Sequence, residues 1–178
     1  MKINIGCGKR NFGRKWVHID GANFSHIDSN DILLESFKKD SVDLIYSSHF
    51  IEYFDRNEII SLLGKWKQVL KKNGILRLAV PDFKACAELY SKGLYPLDNF
   101  LGPLYGRMKM GDKLIYHKTI FDFKSLKKIL EDVGMTDILI YDWRKTEHAK
   151  FDDHSQAYLP HLEKERGILI SLNVESKK

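Results

Sequence analysis

The sequence predicts an α/β sandwich, with a mostly parallel sheet between helices and one antiparallel strand near its C-terminal end. Three observations lead there. A short apolar strand, Ile3–Ile5, enters a glycine turn (Gly6, Gly8), and a second strand, Trp16–Ile19, ends on Asp20. Leu44–Ser47 is a short apolar run of the kind found in sheets covered on both faces. A helical stripe then leads through Asn73-Gly74 into a third apolar run, Ile75–Val80, and alternation of strands and helices is the pattern of a parallel sheet.

Taken in order, the chain offers a signal for each element. Asp20 follows Gly8 by twelve positions, too few for a full helix and a strand, so the helix after the first strand is expected to be reduced or missing. The stretch after Asp20 is polar and turn-rich. Asp55-Arg-Asn-Glu58 is a capping box, and Ile59, Leu62, Leu63, Trp66, Val69 and Leu70 form one core-facing helical stripe. Asn73-Gly74 is read as its stop, and Pro81-Asp82 closes the strand that follows. A short helix is expected over Phe83–Tyr90. The stretch Gly93–Gly111, rich in aromatic residues, glycine and proline, is read as an irregular cover, because long ordered loops in small domains are usually functional. Lys124–Val133 is a helix with Gly134 as terminator. Ile138–Trp143 and Ile168–Val174 are read as the closing strand pair, with an acidic, histidine-bearing insertion (Glu147, His148, Asp152, Asp153, His154, His161) between them.

Length and composition set limits on function. The 178 residues are read as a single domain, 1–178, with 43% hydrophobic and 30% charged residues. No apolar run reaches the length of a membrane span, so no membrane partner is expected. Cys7 and Cys86 are the only cysteines, which supports neither a disulfide framework nor a zinc knuckle and points to a reducing cytoplasm. The net charge is +5, but the lysines come as scattered pairs. A nucleic-acid surface would show a basic stripe with stacking aromatics, so no nucleic-acid partner is expected. Arg10, Arg14 and Lys15 near the glycine turn favour an anionic small molecule. The insertion shows no fixed ligand spacing, and no metal site is assigned to it.

Glycines at alternate positions let a ligand approach the backbone, and ligands of open α/β sheets gather at the carboxyl ends of the strands. A carboxylate ending the next strand suits the two hydroxyls of a ribose. A dinucleotide site would need G-x-G-x-x-G with an acid about 20 residues further on, whereas here the run is G-C-G-K-R-N. The chain instead resembles the class I S-adenosylmethionine-dependent methyltransferases, in a shortened form. Besides the glycine turn, the likeness rests on Asp31, on Phe37 six positions later, and on Ser41-Val42-Asp43 before the Leu44–Ser47 strand. The kind resembled is small and bacterial, encoded with polysaccharide-biosynthesis enzymes, and the likeness covers Lys2 to about Gly134. It implies a Rossmann-like sandwich and S-adenosylmethionine as cofactor. It assigns cofactor contacts to Asn4, Gly6, Cys7, Gly8, Asp20, Gly21, Asp31, Ile32 and Ser47, with Asp20 on the ribose, Asp31 on the adenine amino group and Ile32 packed on the base. Asn4 stands where the family usually has an acid, and Arg10 replaces a third glycine.

Two functions are compatible with these residues. One is methyl transfer to a small-molecule acceptor such as a hydroxyl of a sugar or glycan precursor. The other is a catalytically inactive cofactor- or nucleoside-binding module that assembles with a partner enzyme. Under the first reading His49, just past the fourth-strand position, and His117 are candidate bases, since histidine titrates near neutral pH. Glu52 is placed to hold the His49 ring, and the substrate side is assigned to His49, Asp82, Tyr105 and His117.

Overall fold

A computed structural model describes residues 1–178. Strand β1 (Lys2–Ile5) is followed by β2 (Trp16–Ile19), β3 (Val42–Ser48) and helix α1 (Arg56–Val69). Next come β4 (Leu70–Pro81), α2 (Phe83–Ser91), α3 (Asp98–Tyr105), β5 (Met108–Met110), β6 (Lys113–Ile115) and α4 (Phe123–Asp132). The last elements are β7 (Thr136–Ile140), β8 (Tyr158–Leu159), β9 (Ile168–Leu169) and β10 (Ser171–Lys177). Six strands form one sheet in the order β2–β1–β3–β4–β10–β7. The pairs β1–β2, β1–β3 and β3–β4 are parallel, and β10 runs antiparallel to both of its neighbours. This is the predicted sandwich.

Alternation along the strands divides the two faces. Ile3, Ile5, Ile45, Leu76 and Leu78 join the apolar stripe of α1 and Leu126 and Leu130 of α4 in the main core. The capping box at Asp55 and Glu58 forms with both arms made, and a second, Asp122 with Ser125, starts α4. Leu44, Tyr46, Phe12 and Trp16 build a smaller cluster on the opposite face. No helix joins β1 to β2. The insertion between β7 and β10 covers that face instead: Phe151 stacks on Phe12 at 4.8 Å, His148 lies parallel to Phe12 at 5.3 Å, and the Tyr46 hydroxyl donates to Asp153 at 2.6 Å.

Several boundaries differ from the sequence reading. Helix α1 stops at Val69, before Asn73-Gly74, because Leu70 turns extended (ψ 138°) and pairs with Val42. The Lys71–Gly74 stretch becomes an irregular start of β4, with Asn73 in the left-handed region at φ 63°. The Gly93–Gly111 cover holds helix α3 and one arm of the β5–β6 hairpin. Asp142 caps a 3-10 turn at Trp143, so β7 ends at Ile140. Ile168 and Leu169 leave the main sheet to pair with Tyr158 and Leu159.

Candidate active site

The carboxyl ends of β1, β2 and β3 meet around the glycine turn. Gly6 and Gly8 both have positive φ, 71° and 53°, which glycine adopts without strain. Their reasons differ. A Cβ on Gly6 would lie 2.6 Å from the Phe50 ring, whereas one on Gly8 would meet nothing within 4 Å. Gly6 is a packing glycine, and Gly8 leaves open space at the strand ends. Asp20 secures this loop. Its two carboxylate oxygens accept from Gly8 N at 2.7 Å and Ala22 N at 2.8 Å, and each keeps a lone pair for a further donor. Gly21, next to it, is exposed.

The loop before α1 has its own fastening. Asp31 accepts from Ser36 N at 2.8 Å and Ser36 Oγ at 2.7 Å. Burial opposes its charge, but the bonds from Ser36 outweigh this and hold the carboxyl below its ordinary range. Ile32 is half-buried, and its carbonyl accepts from Trp66 Nε1 at 2.7 Å. Trp66 therefore ties the loop to α1 as well as filling the core.

The residues fit a polar nucleoside ligand. The Ser47 and Ser48 hydroxyls at the end of β3 are buried without a hydrogen-bond partner, a costly state that an additional polar group would relieve. Asn4 and Cys7 are buried beside them, and burial pushes the Cys7 thiol up to about 12, keeping it neutral. Asn4, Cys7, Arg10, Ser48 and His154 line a narrow cleft. Arg10 donates to the Asp152 carbonyl at 3.2 Å, so the insertion forms one wall.

A second cluster stands where β3 ends. His49 follows the strand with φ 49°, and its N–H donates to Ala79 O at 2.8 Å. A 3-10 turn, Ile51–Tyr53, then carries Glu52 inward, fully buried, with neither carboxyl oxygen hydrogen-bonded. His117 joins from beyond the hairpin. Its N–H donates to Tyr105 O at 2.8 Å and its Nδ1 lies 3.1 Å from Pro103 O. Glu52 Oε1 is 3.7 Å from both His49 Nδ1 and His117 Nε2, contacts longer than hydrogen bonds. Burial pushes the Glu52 carboxyl up to about 8. Burial, reinforced by His154 and His117, drives His49 well below the ordinary histidine value, so the ring is neutral at physiological pH.

The other substrate-side residues lie near but have local duties. Asp82 caps α2 through Lys84 N and Ala85 N, and burial raises its carboxyl. Tyr105 ends α3 with an exposed side chain and meets His117 through its carbonyl. Sequence reasoning missed two residues that the structure ties into these loops. His18 Nε2 accepts from Phe12 N at 2.8 Å, and Ser171 Oγ lies 3.2 Å from His49 Nε2. No sequence spacing signals the second contact.

The comparisons agree with the geometry. The family model described as "Methyltransferase domain" matches residues 3–78, the span from β1 through most of β4. A search of curated proteins gives no match. Among solved structures, a SAM-dependent methyltransferase from Archaeoglobus fulgidus superposes with a TM-score of 0.57 at 16% identity, over 99% of this chain and 85% of the other. One from Methanosarcina mazei gives 0.58 at 16% identity, over 99% and 91%. The 1,6-didemethyltoxoflavin-N1-methyltransferase of Burkholderia thailandensis, with 1,6-didemethyltoxoflavin and S-adenosylhomocysteine bound, gives 0.57 at 9% identity, over 99% and 70%. The fold is thus the Rossmann-like sandwich of class I methyltransferases.

Proposed function

We propose that this chain is an S-adenosylmethionine-dependent methyltransferase and that it transfers the methyl group to a hydroxyl of a small-molecule acceptor, of the sugar or glycan-precursor type. The cofactor supplies an electrophilic methyl on a sulfonium. In this reading Gly6, Cys7 and Gly8 line its seat, Asp20 takes the ribose hydroxyls, Asp31 and Ile32 serve the adenine, and Asn4, Gly21 and Ser47 complete the contacts. What remains for the chain is to orient the acceptor, exclude water and accept one proton. Orientation supplies most of the acceleration in such transfers.

The observation that carries the acceptor reading is His49. It is a neutral, mostly shielded imidazole, one residue from the Phe50 ring that packs on Gly6. A neutral imidazole beside the glycine turn suits removal of a hydroxyl proton as the new bond forms. An acceptor that was already a good nucleophile would not need it. Asp82, Tyr105 and His117 are assigned to the acceptor's surroundings. The two free, buried cysteines are compatible with action in a reducing cytoplasm.

The test is mass spectrometry after incubation with methyl-labelled S-adenosylmethionine and a panel of sugars and sugar nucleotides. A labelled O-methyl product is expected from the wild type. His49→Gln should lower kcat by about 10²–10⁴-fold, with S-adenosylhomocysteine affinity and melting temperature nearly intact. Methylation of a hydroxyl at the wild-type rate in that variant would remove His49 and turn attention to His117.

A further inference from the structure

The contacts proposed for the cofactor serve its nucleoside and include no charged partner for its other end. S-adenosylmethionine carries an ammonium and a carboxylate on one carbon, and each needs an opposite charge or a set of hydrogen bonds. The wall that the insertion builds supplies one charge of each sign. Asp153 is 6% exposed and lines the narrow cleft beside the glycine turn. Its carboxylate accepts from the Tyr46 hydroxyl at 2.6 Å and from Ser155 N at 2.9 Å. The neighbouring Asp152 pairs with Lys164 at 2.7 Å, whereas Asp153 has no cationic partner. A buried charge is costly until an opposite charge meets it.

Arg10 lines the same cleft, half-buried, and is in no ion pair either. Its Nε donates to the Asp152 carbonyl at 3.2 Å, and its Nη2 lies 3.4 Å from His154 Nε2. The guanidinium thus grips both chain neighbours of Asp153 and makes no bond to the Asp153 carboxylate. Two of its five N–H groups are used in this way, and the other three are free for a ligand. The remaining lining includes Asn4, which is neutral, and the Ser48 hydroxyl, buried without a partner. A cation and an anion that share a cleft without pairing match a zwitterion, which meets both at once and adds no net charge.

We infer that Asp153 and Arg10 hold the amino-acid end of S-adenosylmethionine, Asp153 taking its ammonium and Arg10 its carboxylate. Both contacts are charge-assisted hydrogen bonds, and the Ser48 oxygen gives the ammonium a further acceptor. The insertion between β7 and β10 is then part of the cofactor site as well as a cover for the sheet. His154, the residue after Asp153, has its ring 5.1 Å from that of His49, so the same segment reaches from the cofactor to the acceptor side. This assignment rests on the cofactor being S-adenosylmethionine.

The experiment is calorimetry on the full chain with three ligands. They are S-adenosylhomocysteine, its decarboxylated analogue, which keeps the amine, and 5′-methylthioadenosine, which lacks the amino-acid end. The wild type is expected to bind S-adenosylhomocysteine more tightly than 5′-methylthioadenosine. Arg10→Gln should weaken S-adenosylhomocysteine at least about tenfold and should not weaken the other two. Asp153→Asn should weaken both S-adenosylhomocysteine and the decarboxylated analogue, again at least about tenfold, and spare 5′-methylthioadenosine. Asp153 also anchors the insertion, so if its variant does not fold, the ligand pattern of Arg10→Gln decides alone. An equal loss on all three ligands would show that these residues only shape the loop and would overturn the inference. So would unchanged affinity for S-adenosylhomocysteine, or a wild type that binds 5′-methylthioadenosine just as tightly. A wild type that binds none of the three removes the cofactor reading itself, whereas binding that ignores both substitutions overturns this inference alone.

Discussion

At the scale of single residues, Asp20 has a structural duty besides the ribose contact proposed for it. Its carboxylate already holds the glycine turn through Gly8 N and the next turn through Ala22 N. A ribose would add bonds to oxygens that are oriented in advance, which limits the entropy lost on binding. A charge-assisted bond of this kind contributes about 1.5–3 kcal/mol, and tenfold in affinity is about 1.4 kcal/mol. Asp20→Ala is therefore expected to weaken S-adenosylhomocysteine binding at least about tenfold in calorimetry, because it loses both the contact and the loop anchor. An unchanged dissociation constant would take the ribose contact away from Asp20.

At the scale of elements, the insertion between β7 and β10 does the work of a missing helix. A sheet built of parallel strands needs both faces covered, and residues 6–15 are too few to provide that cover. The insertion seats Phe151 and His148 on Phe12, and Asp153 under the Tyr46 hydroxyl. Asp153 is buried and also accepts from Ser155 N at 2.9 Å. Tyr46→Phe would remove one of its donors, at a cost of about 1.5–3 kcal/mol for a bond to a charged group. Urea unfolding with an unchanged m-value should show it. Lys128→Ala, for comparison, removes an exposed ion pair with Asp132 on α4. Such pairs contribute at most about 1 kcal/mol, so this variant should lose clearly less. Equal losses in the two variants would mean that the Tyr46–Asp153 bond is not what holds the insertion down.

At the scale of the whole molecule, buried titratable groups give folding stability opposing dependences on pH. His148 is buried with neither ring nitrogen bonded, and burial lowers it from 6.5 to about 4. The unfolded chain takes up a proton there below about 6.5, while the folded chain does so only near 4, so this group removes stability as pH falls through that window. Glu52 acts in the other direction. Its carboxyl is raised from 4.5 to about 8, so its contribution is complete below 4.5 and is lost as pH rises to 8. His148→Phe keeps an aromatic ring against Phe12 and deletes the acid-side loss. The stability of the variant relative to wild type should therefore increase as pH falls from 6.5 toward 4, by roughly 3 kcal/mol at the limit. A difference that is flat with pH in chemical denaturation would show that His148 does not enter the unfolding equilibrium in its neutral form.

Local signals determined the framework. The apolar runs of β1, β2 and β3, the stripe of α1 with its Asp55–Glu58 box, and the turn at Gly6 and Gly8 are short-range patterns, and an element forms at each of them, α1 alone ending earlier than its pattern. The missing helix after β1 was legible from the count of residues between Gly8 and Asp20. Glu52 was legible as a neighbour of His49 three residues away, but its full burial and its second imidazole were not. The end of α1 was misplaced because pairing of Leu70 with Val42 outweighs the Asn73-Gly74 signal. Tertiary structure alone decided the rest: that His117 meets Glu52, that Ser171 and Asn173 orient His49, and that residues 143–157 cover the face left bare by the short first connection. Those contacts join positions far apart in the chain. They depend on sheet order and on which face each strand buries, and neither leaves a periodic trace in the sequence.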